Sequence, residues 1–223
     1  MIEIVEKIKK LLHIKSKAEE EEEKIEIDPK FFRNADALFD ELGVDELSIY
    51  CGEDFWEFAD ELCDKIWDLR IRIKKQTGFI MPSVRILDKS DLQENEIRIN
   101  VRNNTVYTDF LIPTEENFCD EIVKNLEIIC FEYLEDIFSN ELVEKYIDHV
   151  NEKNSGLIMY LNRIIPVPAF KKIFIDIIRN GKSINDITMI FEKIAEAAMT
   201  EKDMCFARDS EKISTAVIDK LNN

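Results

Sequence analysis

Apolar positions along this chain change period several times, and each change marks an element. Leu47, Ile49 and Cys51 alternate with Ser48 and Tyr50 and stop at Gly52, the pattern of a short strand. From Phe55 the spacing becomes helical: Phe55, Phe58, Ala59, Leu62, Ile66, Leu69 and Ile73 recur every three or four residues, one face of a 3.6-residue repeat. Gly78 suits the position just past a helix end, with Phe79 placed to pack back on the last turn.

Between Gly78 and Leu111 the period returns to two. Val84 and Ile86 make one short strand with Arg85 turned outward. If Asn103-Asn104 is a two-residue type I′ turn, Val101 faces Val106, Ile99 faces Thr108 and Ile97 faces Phe110. All six then share one face, while Arg98, Asn100, Tyr107 and Asp109 take the other. The pattern predicts a three-stranded antiparallel meander. With the strand at 47–51 and the helix after it, this makes a small α/β subdomain over residues 28–112.

From Pro113 the spacing is helical again. Thr114 is placed as an N-cap with Glu115 and Glu116 in the first turn. Phe118, Ile122, Leu126, Ile129, Tyr133 and Ile137 form a long stripe that ends near Ser139. A second helix carries Leu142, Val143, Tyr146, Ile147 and Val150. Pro166 and Pro168 mark a connection, and Phe170, Ile173, Phe174 and Ile177 mark a further helix ending at Gly181. Ser183-x-x-Asp186 has the spacing of a capping box and opens a helix with Ile187, Ile190, Phe191 and Ile194. These helices predict a bundle over residues 113–200. Residues 201–223 add a tail with one helix through Ile213, Val217 and Leu221. At the other end, residues 1–27 combine an amphipathic helix (Ile4, Ile8, Leu11, Leu12) with a run of acid from Glu19 to Glu23, which solvates as a linker. The fold class is α+β.

Charge narrows the partners. The 223 residues carry 47 Asp and Glu against 30 Lys and Arg, a net of −17. That disfavours nucleic acid, whose binding needs clustered cations to displace counterions, and disfavours anionic membrane surfaces. A basic partner fits better. No stretch approaches the roughly 18 consecutive apolar residues of a membrane span, and the amphipathic start is unlike a signal peptide. Cys51, Cys63, Cys119, Cys130 and Cys205 form an odd set without C-x-x-C spacing, so they read as reduced thiols of a cytoplasmic protein.

Catalytic chemistry has little to stand on. His13 and His149 are the only histidines and read as surface residues; nothing pairs either with a cysteine nucleophile. There is no phosphate-binding glycine loop and no zinc-ligand spacing. The expectation is a protein without catalytic residues, metal or cofactor. Two features point instead to contacts. Trp56 and Trp67, eleven residues apart, return to nearly one azimuth on the flank of the core face; they either close the edge of the core or form a partner-binding stripe. Arg85 either pairs with an acid on the neighbouring helix or contacts a partner.

The string from Gly78 through Pro82 and Val84-Arg85-Ile86 to Asp88, followed by Asn95, Ile97 and Ile99, resembles the cytoplasmic half of the flagellar and type III secretion export-gate proteins. These are the FlhA- and SctV-like proteins of the FHIPEP family. Ile97 stands where that family usually has Tyr, and the hairpin tip lacks its usual Gly. A second stretch, Glu127 to Asp148 and then Ile177-Ile178-Arg179 to Ile187, resembles the family's bundle helices in the same order, so the resemblance spans roughly residues 45–200. It implies a non-enzymatic protein acting by docking in protein export. Export components, secreted substrates or chaperones would be its partners, as would copies of itself joined through the N-terminal segment. Relative to the family, the membrane half, a subdomain inserted after the hairpin and most of the C-terminal subdomain are missing. Loss of the inserted subdomain removes one wall of the cleft where the family docks chaperones. The alternative is a diverged soluble regulator that meets DNA through the helix-turn-helix-like segment 170–194, although Asp186 and Glu192 oppose that reading. A thiol-dependent enzyme is a third.

Overall fold

The computed structural model describes residues 43–89, 92–93, 95–112, 117–200 and 209–222. The chain divides at Gly43, and the unit from Val44 onward holds everything described below. The amphipathic helix and acidic linker of the N-terminal segment, and His13, lie outside the described residues.

Strand β1 (Leu47–Cys51) leads through a 3₁₀ turn (Glu53–Phe58) into helix α1 (Ala59–Thr77). Strands β2 (Val84–Asp88), β3 (Glu96–Val101) and β4 (Asn104–Phe110) follow. The sheet order is β2-β1-β3-β4, which corrects the predicted three-stranded meander. β2 does not lie beside β3; β1 sits between them, parallel to β2 and antiparallel to β3. Burial explains the choice. Leu47, Ile49 and Cys51 are almost wholly buried, so β1 belongs in the middle, and α1 supplies the crossover that a parallel β1–β2 pair requires.

The β3–β4 hairpin also differs from expectation. Its turn residues are Arg102 and Asn103, with φ of 48° and 66°, both in the left-handed region that a type I′ turn demands. Two bonds hold Arg102 there: its N–H donates to Glu46 O at 3.3 Å and its Nε donates to Asp136 O at 2.9 Å. The pairing becomes Ile97↔Asp109 and Ile99↔Tyr107, with a bulge opposite Ile99/Asn100. A one-residue slip exchanges the faces. Tyr107 therefore shares a face with Ile99, and Phe110 is 54% exposed instead of lying in the core.

The second half is helical: α2 (Phe118–Glu132), α3 (Leu134–Ile137), α4 (Asn140–Asn151), α5 (Ser155–Leu161), α6 (Val167–Arg179), α7 (Ile187–Thr200) and α8 (Ser210–Asn222). The predicted long stripe breaks at Tyr133, whose ψ of 27° ends α2 before α3 begins. The proposed start at Thr114 lies outside the described residues. α5 was not foreseen, because its apolar run Gly156–Leu161 lacks a period. Ser139 caps α4 by accepting from Leu142 N–H at 3.2 Å. α6 ends as predicted at Gly181 (φ 69°): Lys182 N–H reaches Ile177 O at 3.1 Å and Gly181 N–H reaches Ile178 O at 2.9 Å, the paired bonds of a Schellman ending. The α7 cap is Asp186, which accepts from Met189 N–H at 3.0 Å. Ser183 accepts from Asn185 N–H at 3.1 Å instead, so the predicted capping box does not form.

One apolar core runs from the sheet into the helices. Phe79, Phe138, Phe174 and Phe191 are fully buried within it, and Phe79 stacks on Phe138 with ring centroids 5.2 Å apart. Lys65–Asp120 (2.5 Å) and Arg72–Glu127 (2.6 Å) tie α1 to α2 along the surface. Where α1 ends, the contact with the bundle is close. Gly78 (φ 78°) caps α1 while its Cα abuts the α6–α7 loop, Ile184 N–H donates to Thr77 O at 2.8 Å and Asn185 Nδ2 donates to Lys75 O at 2.8 Å. Tyr146 of α4 donates its hydroxyl proton to Gly78 O at 2.7 Å and accepts from Ile80 N–H at 3.0 Å.

Candidate docking groove

The strongest surface feature lies over this junction. The core of α1 takes Leu62, Ile66, Leu69 and Ile73, leaving Trp67 and Ile71 on another face, 57% and 36% exposed. After the cap at Gly78 the chain can no longer follow the helical pattern, and Ile80 is left 46% exposed. Trp67, Ile71, Ile80 and Met81 line a groove of about 260 Å³ together with Arg70 and Lys74. Ile80 also lines two neighbouring hollows of about 390 and 380 Å³ that reach Leu142, Lys145 and Tyr146 on α4. The surface is thus continuous from α1 to α4.

Its rim is basic on an acidic chain. Arg70 Nε donates to Met81 O at 3.1 Å, with its guanidinium carbon over the Trp67 ring, 5.3 Å from the centroid, so a cation sits against the ring. Lys74 and Lys75 are ion-paired to no described residue. Lys145 pairs with Glu141 at 2.7 Å, an exposed i,i+4 pair of small energy. Tyr146 forms the floor; burial pushes its hydroxyl up to about 12 against the opposing Ile80 N–H bond.

Of the predicted contact residues, Trp67 lies in this groove. Trp56 belongs to the 3₁₀ turn rather than to α1, so the eleven-residue azimuth argument does not reach it, and its side chain lies outside what the structure describes. Arg85 lies on β2, exposed, and pairs with Asp45 at 3.3 Å; the acid precedes β1 instead of coming from a neighbouring helix. It is not part of the groove. Sequence reading missed Ile71, Ile80, Lys74 and Lys145. Ile71 was legible, since it lies nearly opposite the apolar stripe of α1. Ile80 was not, because its exposure depends on where the bundle docks.

The buried thiols are unreactive. Burial raises Cys51 and Cys119 to about 11 and Cys130 to about 12, with nearby carboxylates adding to each. They remain protonated at neutral pH, and nucleophilic chemistry needs the thiolate. His149 is exposed at the groove's edge. Among the described residues no group of three or more His, Cys, Asp or Glu is arranged to hold a metal ion, and no helix is long and apolar enough to cross a membrane. In the helix-turn-helix-like segment, α7 opens on the Asp186 carboxylate and buries Ile190, Phe191 and Ile194. Its acidic cap and buried side chains suit packing in the bundle.

This α/β layer joined to a helical bundle superposes on solved structures of type III secretion proteins, among them the nonameric EscV cytosolic domain (TM-score 0.60 at 14% identity, over 80% of this chain and 67% of that one). The Chlamydia pneumoniae CdsV protein superposes with a TM-score of 0.65 at 15% identity, over 78% of this chain and 67% of that one. The same protein in the CdsV and CdsO complex gives 0.64 at 14% identity, over 78% and 70%. The nonameric EPEC SctV-C gives 0.62 at 15%, over 78% and 66%. The chain therefore spans about two thirds of the length of these structures. No curated protein sequence matches it. The sequence profile of the FHIPEP family matches residues 2–121, more than half of the chain, and the chain belongs to the FHIPEP family.

Proposed function

We propose that the protein is a cytoplasmic, non-enzymatic docking module of a type III or flagellar export apparatus, and that it assembles with copies of itself through the Trp67 groove. The observation that carries this is the groove's chemistry: an exposed Trp, two exposed Ile, and Lys74 and Lys75 ion-paired to no described residue, on a chain of net charge −17. A large aromatic ring at the centre of an apolar patch with a charged rim is what interface hot spots are made of. The complement is present on the chain itself. Residues 2–23 carry Ile4, Ile8, Leu11 and Leu12 followed by Glu19–Glu23, apolar anchors trailed by acid. The N-terminal segment of a neighbouring copy is the proposed occupant. Membership of the FHIPEP family supports an export role, and the nonameric state of EPEC SctV-C is a precedent for assembly within this fold.

Light scattering across a concentration series tests the reading. Wild type is expected to assemble as concentration rises. Trp67→Ala and the pair Lys74→Glu, Lys145→Glu should lower the association, and Glu20→Lys with Glu22→Lys should restore it for the charge-reversed pair. A chain that stays monomeric throughout, or whose association ignores Trp67, refutes it.

A further inference from the structure

The sheet ends at β4, and among the described residues nothing pairs with its outer edge. Two bonds tell which backbone groups face that edge. Leu111 N–H donates to Asn95 O at 2.9 Å, in step with Ile97↔Asp109 and Ile99↔Tyr107. Antiparallel ladders alternate bonded and unbonded pairs. Tyr107, Asp109 and Leu111 therefore aim their backbone groups at β3, and Thr108 and Phe110 aim theirs outward. Across β3 the bond from Arg102 N–H to Glu46 O is in step with Ser48↔Asn100 and requires the same alternation. Phe110 N–H is taken by Asp109 Oδ1 at 2.8 Å. The N–H and C=O of Thr108 and the C=O of Phe110 are left for a partner, beside the exposed Phe110 and Ile112 side chains.

Charge on the same edge chooses the occupant. Asp109 Oδ2 accepts from Tyr107 OH at 2.6 Å, and Asn125 Nδ2 donates to that hydroxyl at 2.9 Å. Glu121 lies close enough that its charge, after burial and Asp109, helps raise the Tyr107 hydroxyl. Neither carboxylate is ion-paired to a described residue. A second copy's β4, paired about Asp109, would set that carboxylate against its own like, which repels.

We propose that the β4 edge docks an extended, basic segment of a protein in transit by strand addition, Lys or Arg at alternate positions meeting Asp109 and Glu121 while the intervening apolar side chains lie over Phe110. The inference rests on the export reading above, since a substrate held unfolded for export offers such a segment. Main-chain pairing supplies the affinity and alternate side chains the selectivity. That division suits a site that takes many sequences.

The probe is a labelled peptide of about eight residues alternating Lys and Val, with Glu replacing Lys in its control. Anisotropy is measured on the full chain at low salt, where surface charge is least screened. Wild type is expected to bind the Lys peptide and ignore the Glu peptide. Thr108→Pro removes the outward N–H without touching the ladder and should weaken binding about tenfold; Asp109→Asn with Glu121→Gln should weaken it also. Equal binding by Thr108→Pro and wild type, or by the two peptides, overturns the proposal. Should Thr108→Pro not fold, hydrogen exchange on wild type decides: the peptide must slow exchange across 104–112, and protection confined to the Trp67 groove overturns it. A monomer that binds the peptide at β4 sinks the assembly reading alone. An assembling chain indifferent to the peptide sinks this one.

Discussion

Replacing Gly78 with Ala tests whether the contact between α1 and the α6–α7 loop is as tight as its geometry states. Two effects add. Gly78 has φ 78°, a left-handed conformation that costs an L-residue about 1–2 kcal/mol. A Cβ there would also meet Asn185 N at 2.5 Å and Ile184 C at 2.6 Å. Both are backbone atoms, so relief requires the loop to withdraw. Withdrawal gives up the Ile184 N–H to Thr77 O bond and the Asn185 Nδ2 to Lys75 O bond, each about 0.5–1.5 kcal/mol. The sum is about 2–5 kcal/mol, a large share of an ordinary domain's stability. Gly181 is the control. It has φ 69°, yet nothing lies within 4 Å of its Cβ position, so Gly181→Ala should show only the conformational part, about 1–2 kcal/mol. Urea unfolding followed by circular dichroism gives both numbers. If the two substitutions agree within about 0.5 kcal/mol, the loop yields freely and the tight-junction argument is wrong.

Other consequences are equally direct. Tyr146→Phe strips Gly78 O of its donor and Ile80 N–H of its acceptor, a loss of about 1–3 kcal/mol by the same unfolding assay. Because burial raises the Tyr146 hydroxyl to about 12 while an unfolded Tyr titrates near 10, stability should fall as pH rises through that window, and Tyr146→Phe should flatten the fall. Glu96 is held below its usual value by the Gln93 N–H first and the Arg98 guanidinium second. Its contribution is therefore present above the unfolded carboxyl pKa and lost as pH drops below it; Glu96→Gln should reduce the acid sensitivity of the urea midpoint. Cys63 is exposed and Cys51, Cys119 and Cys130 are buried. A thiol reagent followed by peptide mapping should modify Cys63 in the native protein and the buried three only after unfolding.

The sequence disclosed most where one residue's need decides the structure. Gly78 and Gly181 sit at positive φ past helix ends, as their positions after apolar stripes required, and the α1 core face is the one its 3.6-residue spacing picks out. Errors fell where two local solutions were close in energy and distant contacts chose. Asn103-Asn104 and Arg102-Asn103 both make a plausible tip; Glu46 and Asp136, far apart in sequence, favour the second. Period 2 likewise tells which residues share a face but not which strands are neighbours, so β1 could not be placed between β2 and β3 from alternation alone. Trp67 was legible as a flank residue, whereas the groove needed α4 as its other wall.

That dependence couples stability to docking. The groove's residues come from α1, from the Ile80 segment and from α4, and the bonds that set their spacing are those of Tyr146 to Gly78 and Ile80. Removing the Tyr146 hydroxyl leaves every groove side chain in place except the floor's polar atom, yet frees the Ile80 segment from α4. Under the docking reading, Tyr146→Phe should therefore weaken self-association at temperatures where the protein is still fully folded. An exposed-face change such as Lys145→Ala should weaken it without moving the urea midpoint. If Tyr146→Phe lowers stability and leaves association untouched, the groove's geometry is irrelevant to assembly and its exposed Trp67 has another purpose.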